Sequence, residues 1–258
     1  TQELSLEEIE TLFLVLKKMG VKRLGVFGGE PMVRKDICEI LELAKKHEFF
    51  ISLNSNLLLY NRYKDNLDVV DYFFTSIDGT PEKHQKNRGK QKFEIITNAI
   101  EDIVSRGKKV TIICVITDSD KESVDYVIDL AKKTGADVHF QQENYDSYCA
   151  GRVAPDELEN EKIRDTWRYI LSLKKKGNPI TSSYNYLKFI IGWHNYKQSS
   201  YYDENIKCMA GSGFISIDPT GTAYPCIFVQ GKFEGVNLLK EDWQKVFNKK
   251  TPCTTCIV

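Results

Sequence analysis

Apolar positions recur along this chain with two alternating periods. Ile9, Leu12, Phe13 and Leu16 fall at i, i+3, i+4 and i+7, the spacing of one helical face. Ser5 and Glu8 ahead of them form a Ser-x-x-Glu capping box, and Gly20 stops the run. A short apolar strand follows at residues 23–27, closed by Gly28-Gly29. The next helical face carries Ile37, Ile40, Leu41 and Ala44, followed by a strand at 49–53 and a short helix near 61–66. A strand at 69–76 ends in Ile77-Asp78-Gly79. A helix over about 93–106 is expected to bury Ile96, Ile100, Ile103 and Val104, ahead of a strand at 109–116. Val124, Val127, Ile128 and Ala131 mark another helix, and Gly135 separates it from a strand at 136–141. A long helix over about 156–176 completes this part.

Five strands separated by helices predict βαβ units and a parallel sheet with right-handed crossovers. In such sheets ligands sit at the carboxyl ends of the strands. Those ends read Gly28-Gly29-Glu30-Pro31, Asn54-Ser55-Asn56, Ser76-Ile77-Asp78, Thr117-Asp118 and Gln141-Gln142-Glu143. After Lys176 the rhythm breaks at Gly177-Asn178-Pro179. There follow a helix near 183–194, an aromatic connector at 195–205, and a hairpin over 214–226 around Asp218-Pro219-Thr220-Gly221. A short helix at 241–248 precedes Cys253-Thr254-Thr255-Cys256. The expected domains are residues 1–177 and 178–258. The aromatics in and before the connector, Tyr184, Tyr186, Trp193, His194, Tyr196, Tyr201 and Tyr202, read either as lining a pocket or as packing between the two domains, with packing slightly favoured.

Composition narrows the class. The 258 residues are 41% hydrophobic and 28% charged, and 36 Lys and Arg balance 36 Asp and Glu. Zero net charge argues against a nucleic-acid footprint. No apolar run reaches the ~18 residues of a membrane span. The chain opens on Thr1 and stops two residues after a Cys-x-x-Cys, so it is expected to be cut at both ends. Of the 7 cysteines, Cys38 and Cys114 read as core residues and Cys149 as a loop thiol. Cys208 and Cys226, with seventeen residues between them, and the Cys253–Cys256 pair suggest one four-thiolate site. In a reducing, cytoplasmic setting such a set binds metal, and spacing alone leaves zinc, iron–sulfur or disulfides open, with zinc the commoner.

The motifs at the strand ends resemble those of a known family. Gly28-Gly29-Glu30-Pro31 resembles the GGEP segment of radical S-adenosylmethionine (SAM) enzymes, and Leu53-Asn54-Ser55-Asn56 resembles their third-strand region. Ser76-Ile77-Asp78-Gly79, with His84 and Arg88-Gly89 downstream, is similar to their fourth-strand stretch. The resemblance covers roughly residues 1–145. The C-terminal part resembles the SPASM/Twitch extension of the family. Its pattern of Cys, nine to fifteen residues, Gly, four residues and Cys is met by Cys208, Gly221 and Cys226. The arrangement is also similar to that of the butirosin-pathway radical dehydrogenase.

The resemblance implies a partial (β/α)6 TIM barrel whose first strand is missing here, with a small C-terminal α+β Twitch/SPASM-like module. It implies S-adenosylmethionine, a catalytic [4Fe–4S] cluster and an auxiliary [4Fe–4S] cluster held by Cys208, Cys226, Cys253 and Cys256, which turns the reading from zinc to iron–sulfur. The family's Cys-x₃-Cys-x₂-Cys is absent from this sequence and is expected upstream of Thr1. By resemblance Gly28, Gly29 and Glu30 contact the methionine amine, with Pro31 stiffening the turn. Ser76 and Asp78 hold the ribose, Asn54 or Asn56 assists, and Gln141 lines the substrate side. The implied activity is hydrogen abstraction by a 5′-deoxyadenosyl radical, either oxidising a small molecule or maturing a peptide. Its reducing partner would be a protein such as flavodoxin or ferredoxin. The auxiliary cluster, fully ligated, would carry electrons. The competing reading is a non-catalytic iron–sulfur or zinc protein on the same scaffold.

Overall fold

The computed structural model describes residues 3–89, 92–117, 121–143, 157–196, 198, 200–201, 208–229, 234–248 and 255–256. The chain opens with α1 (Leu6–Lys18). The capping box closes as expected, with the Glu8 amide donating to Ser5 Oγ at 3.2 Å and the Ser5 amide to Glu8 Oε2 at 2.8 Å. Then come β1 (Arg23–Val26), α2 (Ile37–Lys46), β2 (Phe50–Asn54), α3 (Tyr60–Tyr63) and β3 (Tyr72–Ser76). They are followed by α4 (Pro81–Arg88), α5 (Phe93–Ser105), β4 (Lys109–Ile116), α6 (Lys121–Thr134), β5 (Asp137–Gln142), α7 (Glu157–Lys175) and α8 (Tyr184–Ile191). The remaining strands are β6 (Ser200–Tyr201), β7 (Ser216–Ile217), β8 (Thr222–Tyr224), β9 (Val236–Asn237) and β10 (Thr255–Cys256).

The expected α/β alternation holds. The first five strands form one sheet in the order β1-β2-β3-β4-β5, and β2 to β5 run parallel. Burial alternates along each strand. Ile51 and Leu53, Phe73, Val110, Ile112 and Cys114, and Val138 and Phe140 are buried on one face, where α5 packs on β4 and α6 on β4 and β5. Each such side chain contributes about 1.5–3 kcal/mol when fully buried. The stripe on α5 is Ile96, Ala99, Ile100 and Ile103. Val104, expected in that stripe, is only half-buried, because the 3.6-residue period turns it towards the edge of the buried face. Helix α4 has no apolar stripe and was not expected. Its start is set by Thr80, whose Oγ1 accepts from the Lys83 amide at 3.4 Å, and by Pro81 in the first turn.

The sheet does not stop at β5. Ile180 makes a parallel bridge to Val138, the Val138 amide donates to Pro179 O at 2.8 Å, and the Thr181 amide donates to Val138 O at 2.8 Å. This covers part of an edge that would otherwise expose unpaired backbone groups.

Two compact units group the described chain. One gathers residues 1–24, 36–51 and 200–256; the other gathers 25–35 and 52–199, with 257–258. In the first, α1 packs on α2, and Phe13 meets Phe49 edge-on with ring centroids 5.5 Å apart. The hairpin forms as expected, β7 pairing antiparallel with β8, and β9 adds a third strand. Asp218 Oδ1 caps its turn, accepting from the Thr220 amide at 2.9 Å and the Thr222 amide at 3.1 Å. That turn grips the chain ahead of α1: the Leu4 amide donates to Pro219 O at 2.9 Å. Gly221, at φ 83°, has room for a Cβ only 3.3 Å from Leu4 Cδ1. β10 returns to pair with β6, Cys256 opposite Ser200. The helix expected at 241–248 is a 3₁₀ helix over Trp243–Asn248. Within the second unit, Trp193 and Tyr196 are buried, whereas Tyr184 is exposed. No described helix is long and apolar enough to cross a membrane.

Candidate active site at the strand ends

All the non-cysteine residues singled out in the sequence belong to the second unit. Glu30 organises the first corner. It caps the 3₁₀ turn Pro31–Val33, and its Oε1 accepts from the Met32 amide at 3.0 Å. The same oxygen accepts from Ser55 Oγ at 2.7 Å, while Oε2 accepts from the Asn56 amide at 2.8 Å. One carboxylate thus ties the end of β1 to the end of β2. Hydrogen bonds to an ionised acceptor are about twice as strong as neutral ones. The tied loop is itself tightly turned. Ser55 Oγ accepts from the Leu57 amide at 3.0 Å, Asn56 Oδ1 accepts from the Leu58 amide at 2.9 Å, and Leu57 stands fully buried at φ 60°. A left-handed non-glycine residue costs about 1–2 kcal/mol, which the surrounding bonds must offset. Beside it, a Cβ built on Gly28 or Gly29 meets nothing within 4 Å, so both backbones face open space that a ligand can enter.

Asp78 organises the second corner. Its carboxylate is 4% exposed and takes the Arg88 fork bidentately, Nε to Oδ2 at 2.6 Å and Nη2 to Oδ1 at 3.0 Å. The Asp78 amide donates to Nδ1 of His84, itself fully buried, at 3.4 Å. A buried carboxylate needs a partner, and Arg88 at the end of α4 supplies it. Gly79 follows at φ 134°, so close to Ser123 that no side chain fits.

The remaining residues share a face. Asn54 lies opposite Phe74, Ser76 opposite Ile113, and Gln141 opposite Val115. Counting by twos, Asn54, Ser76 and Gln141 all point to the inner face, away from the packed helices, and all are half-buried. Gln142 points the other way, fully buried, accepting from Trp167 Nε1 at 2.9 Å and donating to Ile116 O at 3.2 Å. Sequence reasoning missed Ser55 as the partner of Glu30 and left Arg88 without a role. The first sits in the quoted Asn54-Ser55-Asn56 segment, and the second in the Arg88-Gly89 match.

Of the cysteines, Cys114 is buried and Cys38 half-buried, where burial, then Glu39 and Glu42, push its thiol pKa up. Cys114 is the core residue expected, whereas Cys38 lies outside the buried stripe of α2. Cys149 and Cys253 lie outside the described residues. Cys208, Cys226 and Cys256 belong to one unit, are half-buried and form no disulfide. Cys208 Sγ accepts from the Ala210 amide at 3.4 Å. This donor chemistry suits an iron–sulfur or zinc site. Among the described residues, however, no three ligand-type side chains lie close enough to hold a metal ion.

The radical SAM superfamily pattern matches residues 1–131. Mycofactocin maturase MftC from Mycolicibacterium smegmatis is 26% identical over 251 residues, spanning 93% of this chain and 61% of that protein. A probable GTP 3′,8-cyclase from Pyrococcus horikoshii is 30% identical over 112 residues, 41% of this chain and 33% of that protein. The chain therefore spans between a third and three fifths of the length of these curated relatives. Streptococcus suis SuiB bound to precursor peptide SuiA superposes with a TM-score of 0.73 at 14% identity, over 96% of this chain and 59% of that one. Native anSMEcpe with bound AdoMet and Cp18Cys peptide gives a TM-score of 0.70 at 19% identity, over 95% of this chain and 73% of that one. These solved structures share the fold, so the five-stranded sheet is the expected partial barrel.

Proposed function

The chain belongs to the radical SAM superfamily, and from that premise we propose that it binds SAM across the strand ends and abstracts a hydrogen atom from a peptide. The observation that carries this reading is the Glu30 clamp, which fixes the open Gly28-Gly29 backbone against the Asn54–Asn56 turn. In it, Gly28 and Gly29 receive the methionine amine through their backbone, Glu30 supplies the negative field, and Pro31 holds the turn. A carboxylate has about four acceptor positions, and three are used internally, which leaves one for an ammonium. Asn54 and Ser76 meet the ribose from the inner face, with Asn56 assisting from the turn beside Glu30. Asp78, its oxygens already on Arg88, serves that edge chiefly by holding the β3 end and α4 in place. Gln141 faces the substrate. Once bound with its [4Fe–4S] cluster, the cofactor supplies a 5′-deoxyadenosyl radical. The chain's own task is to orient it and keep water away.

Residues 178–258 form the auxiliary module in this reading, with Cys208, Cys226, Cys253 and Cys256 holding a second [4Fe–4S] cluster. The support is their spacing and the affinity of thiolates for iron–sulfur clusters. A peptide is favoured over a small molecule because two similar proteins, MftC and SuiB, are a maturase and a protein bound to a precursor peptide. Electrons would come from a low-potential protein such as flavodoxin or ferredoxin. The test is anaerobic reconstitution of the full-length protein. About eight irons per chain and reductant-dependent 5′-deoxyadenosine support the proposal. About four irons without SAM cleavage would instead support a non-catalytic binding protein.

A further inference from the structure

One oriented side chain on the inner face has no part in the SAM site. His139 stands one layer below Gln141 on β5, opposite Ile113 of β4. Its Nδ1 lies 3.2 Å from Ser182 Oγ, and its ring stacks on Tyr186 of α8, with centroids 5.9 Å apart and 30° between planes. Ser182 is 4% exposed and is delivered there by the Ile180–Val138 bridge. The imidazole is thus gripped at one nitrogen and along one face, while among the described residues nothing bonds Nε2. Holding a histidine through one nitrogen so that the other is presented in a fixed direction is how proteins aim an imidazole.

The surroundings decide what it is aimed at. Above Asp137, the inner face from β3 to β5 carries Phe74, Ser76, Ile113, Val115, His139 and Gln141, none of them charged. Tyr72 and Phe74 add an aromatic pair at 4.9 Å, and the Tyr72 hydroxyl is engaged by Thr111 Oγ1 at 2.8 Å. Burial alone pushes the His139 pKa below its ordinary 6.5, so the ring is neutral at neutral pH. The groups facing it are Asp137 on its own strand, Ser182 on the bridging segment and Tyr186 on α8. Apart from Asp137 at its lower end, nothing on this face would pair an ionised substrate side chain, which would lose its hydration there. A hydrogen-bonding, uncharged one would be recognised, and an analogue lacking the bond rejected.

We propose that His139 is a specificity-determining residue: its Nε2 hydrogen-bonds the uncharged substrate residue that enters this face, and the face excludes residues with charged side chains. The inference rests on the reading of the strand ends as the SAM site. The test uses full-length protein with ¹⁵N-labelled histidine, whose 4 histidines give few resonances. His139→Gln assigns the signal. The probes are N-acetyl-tyrosine N-methylamide and the corresponding lysine and aspartate amides, each titrated with and without SAM. The expected result is a saturable shift of His139 Nε2 with the tyrosine probe, at least about tenfold weaker with lysine or aspartate, the worth of one neutral hydrogen bond. Ser182→Ala, which frees Nδ1, should erase that preference while SAM affinity by calorimetry stays unchanged. No His139 response to any probe, or an equal response to the charged ones, overturns the inference even where SAM binds normally. Absence of SAM binding sinks the functional reading instead. Were His139→Gln to fail to fold, the wild-type titration alone would still decide, assigned through Ser182→Ala.

Discussion

Removing the Glu30 carboxylate tests the clamp directly. Glu30→Ala strips the acceptor from the Met32 amide, the Ser55 hydroxyl and the Asn56 amide at once. Each bond to an ionised acceptor contributes about 1.5–3 kcal/mol, and each donor left buried without a partner costs about 1–3 kcal/mol. The site is only part-buried, so water recovers some of this, and the effects of one network do not add. A net loss of about 3 kcal/mol follows, which for a chain of this size lowers Tm by roughly 6–12 °C. Glu30→Gln is more informative. Its Oε1 can keep the Met32 and Ser55 bonds, but its Nε2 then faces the Asn56 amide, donor against donor. About half the loss should remain. Differential scanning calorimetry on anaerobic protein gives the stabilities, and amide exchange at Asn56 and Leu58 gives the locality. Faster exchange confined to the 54–58 turn and the Pro31–Val33 turn supports the clamp. Unchanged Tm and unchanged exchange in Glu30→Ala would refute the reasoning, whatever happens to SAM affinity, which should also fall.

The other expectations are shorter. Arg88→Met should cost about 3 kcal/mol by taking the guanidinium from the buried Asp78 carboxylate, read by urea unfolding; a neutral result would mean that the pair does not secure α4. Gly79→Ala should destabilise markedly, because the new methyl overlaps Ser123 and φ is 134°, and Ser123→Gly in the same chain should recover only the steric part. Gly221→Val should loosen the seat of Leu4 and raise proteolytic cleavage ahead of α1, while α5 and α6 keep their exchange protection. His139 is held below its ordinary 6.5, so below that value the unfolded chain binds the proton first. Its share of stability is present above pH 6.5 and lost as pH falls towards the folded-state pKa. Urea midpoints at pH 7.5 and 5.5 should therefore fall further apart in the wild type than in His139→Gln, and equal slopes would contradict this.

The elements that could be read from the chain are those whose stability is written locally. The α1 stripe, its Ser5–Glu8 box and the apolar runs of β2 to β5 each state their period within a dozen residues. Helix α4 could not be read that way, because its one buried side chain is His84 and the Asp78–Arg88 pair that secures its end spans a loop and two turns. The site shows the same division. Inner-face membership of Asn54, Ser76 and Gln141 follows from counting by twos once the strands are known. The partners of Glu30 lie 25 and 26 positions away, and no periodicity connects them. His139 carries no motif at all. What distinguishes it is the Ile180 bridge, a single backbone contact between segments 42 residues apart by number, Val138 and Ile180.

The interleaving of the two units bears on the order in which the molecule can form. The second unit draws almost wholly on one continuous stretch, 52–199, and its strands β3, β4 and β5 pair in the order in which they are made. It can therefore assemble while later residues are still being synthesised. The first unit cannot, since β6 to β10 come from residues 200–256. Until then the chain ahead of α1 lacks the Pro219 carbonyl that the Leu4 amide bonds. Nascent chains stalled before residue 200 should thus be the species that need a chaperone, and closing the loop between the two ends should be the slow step of folding.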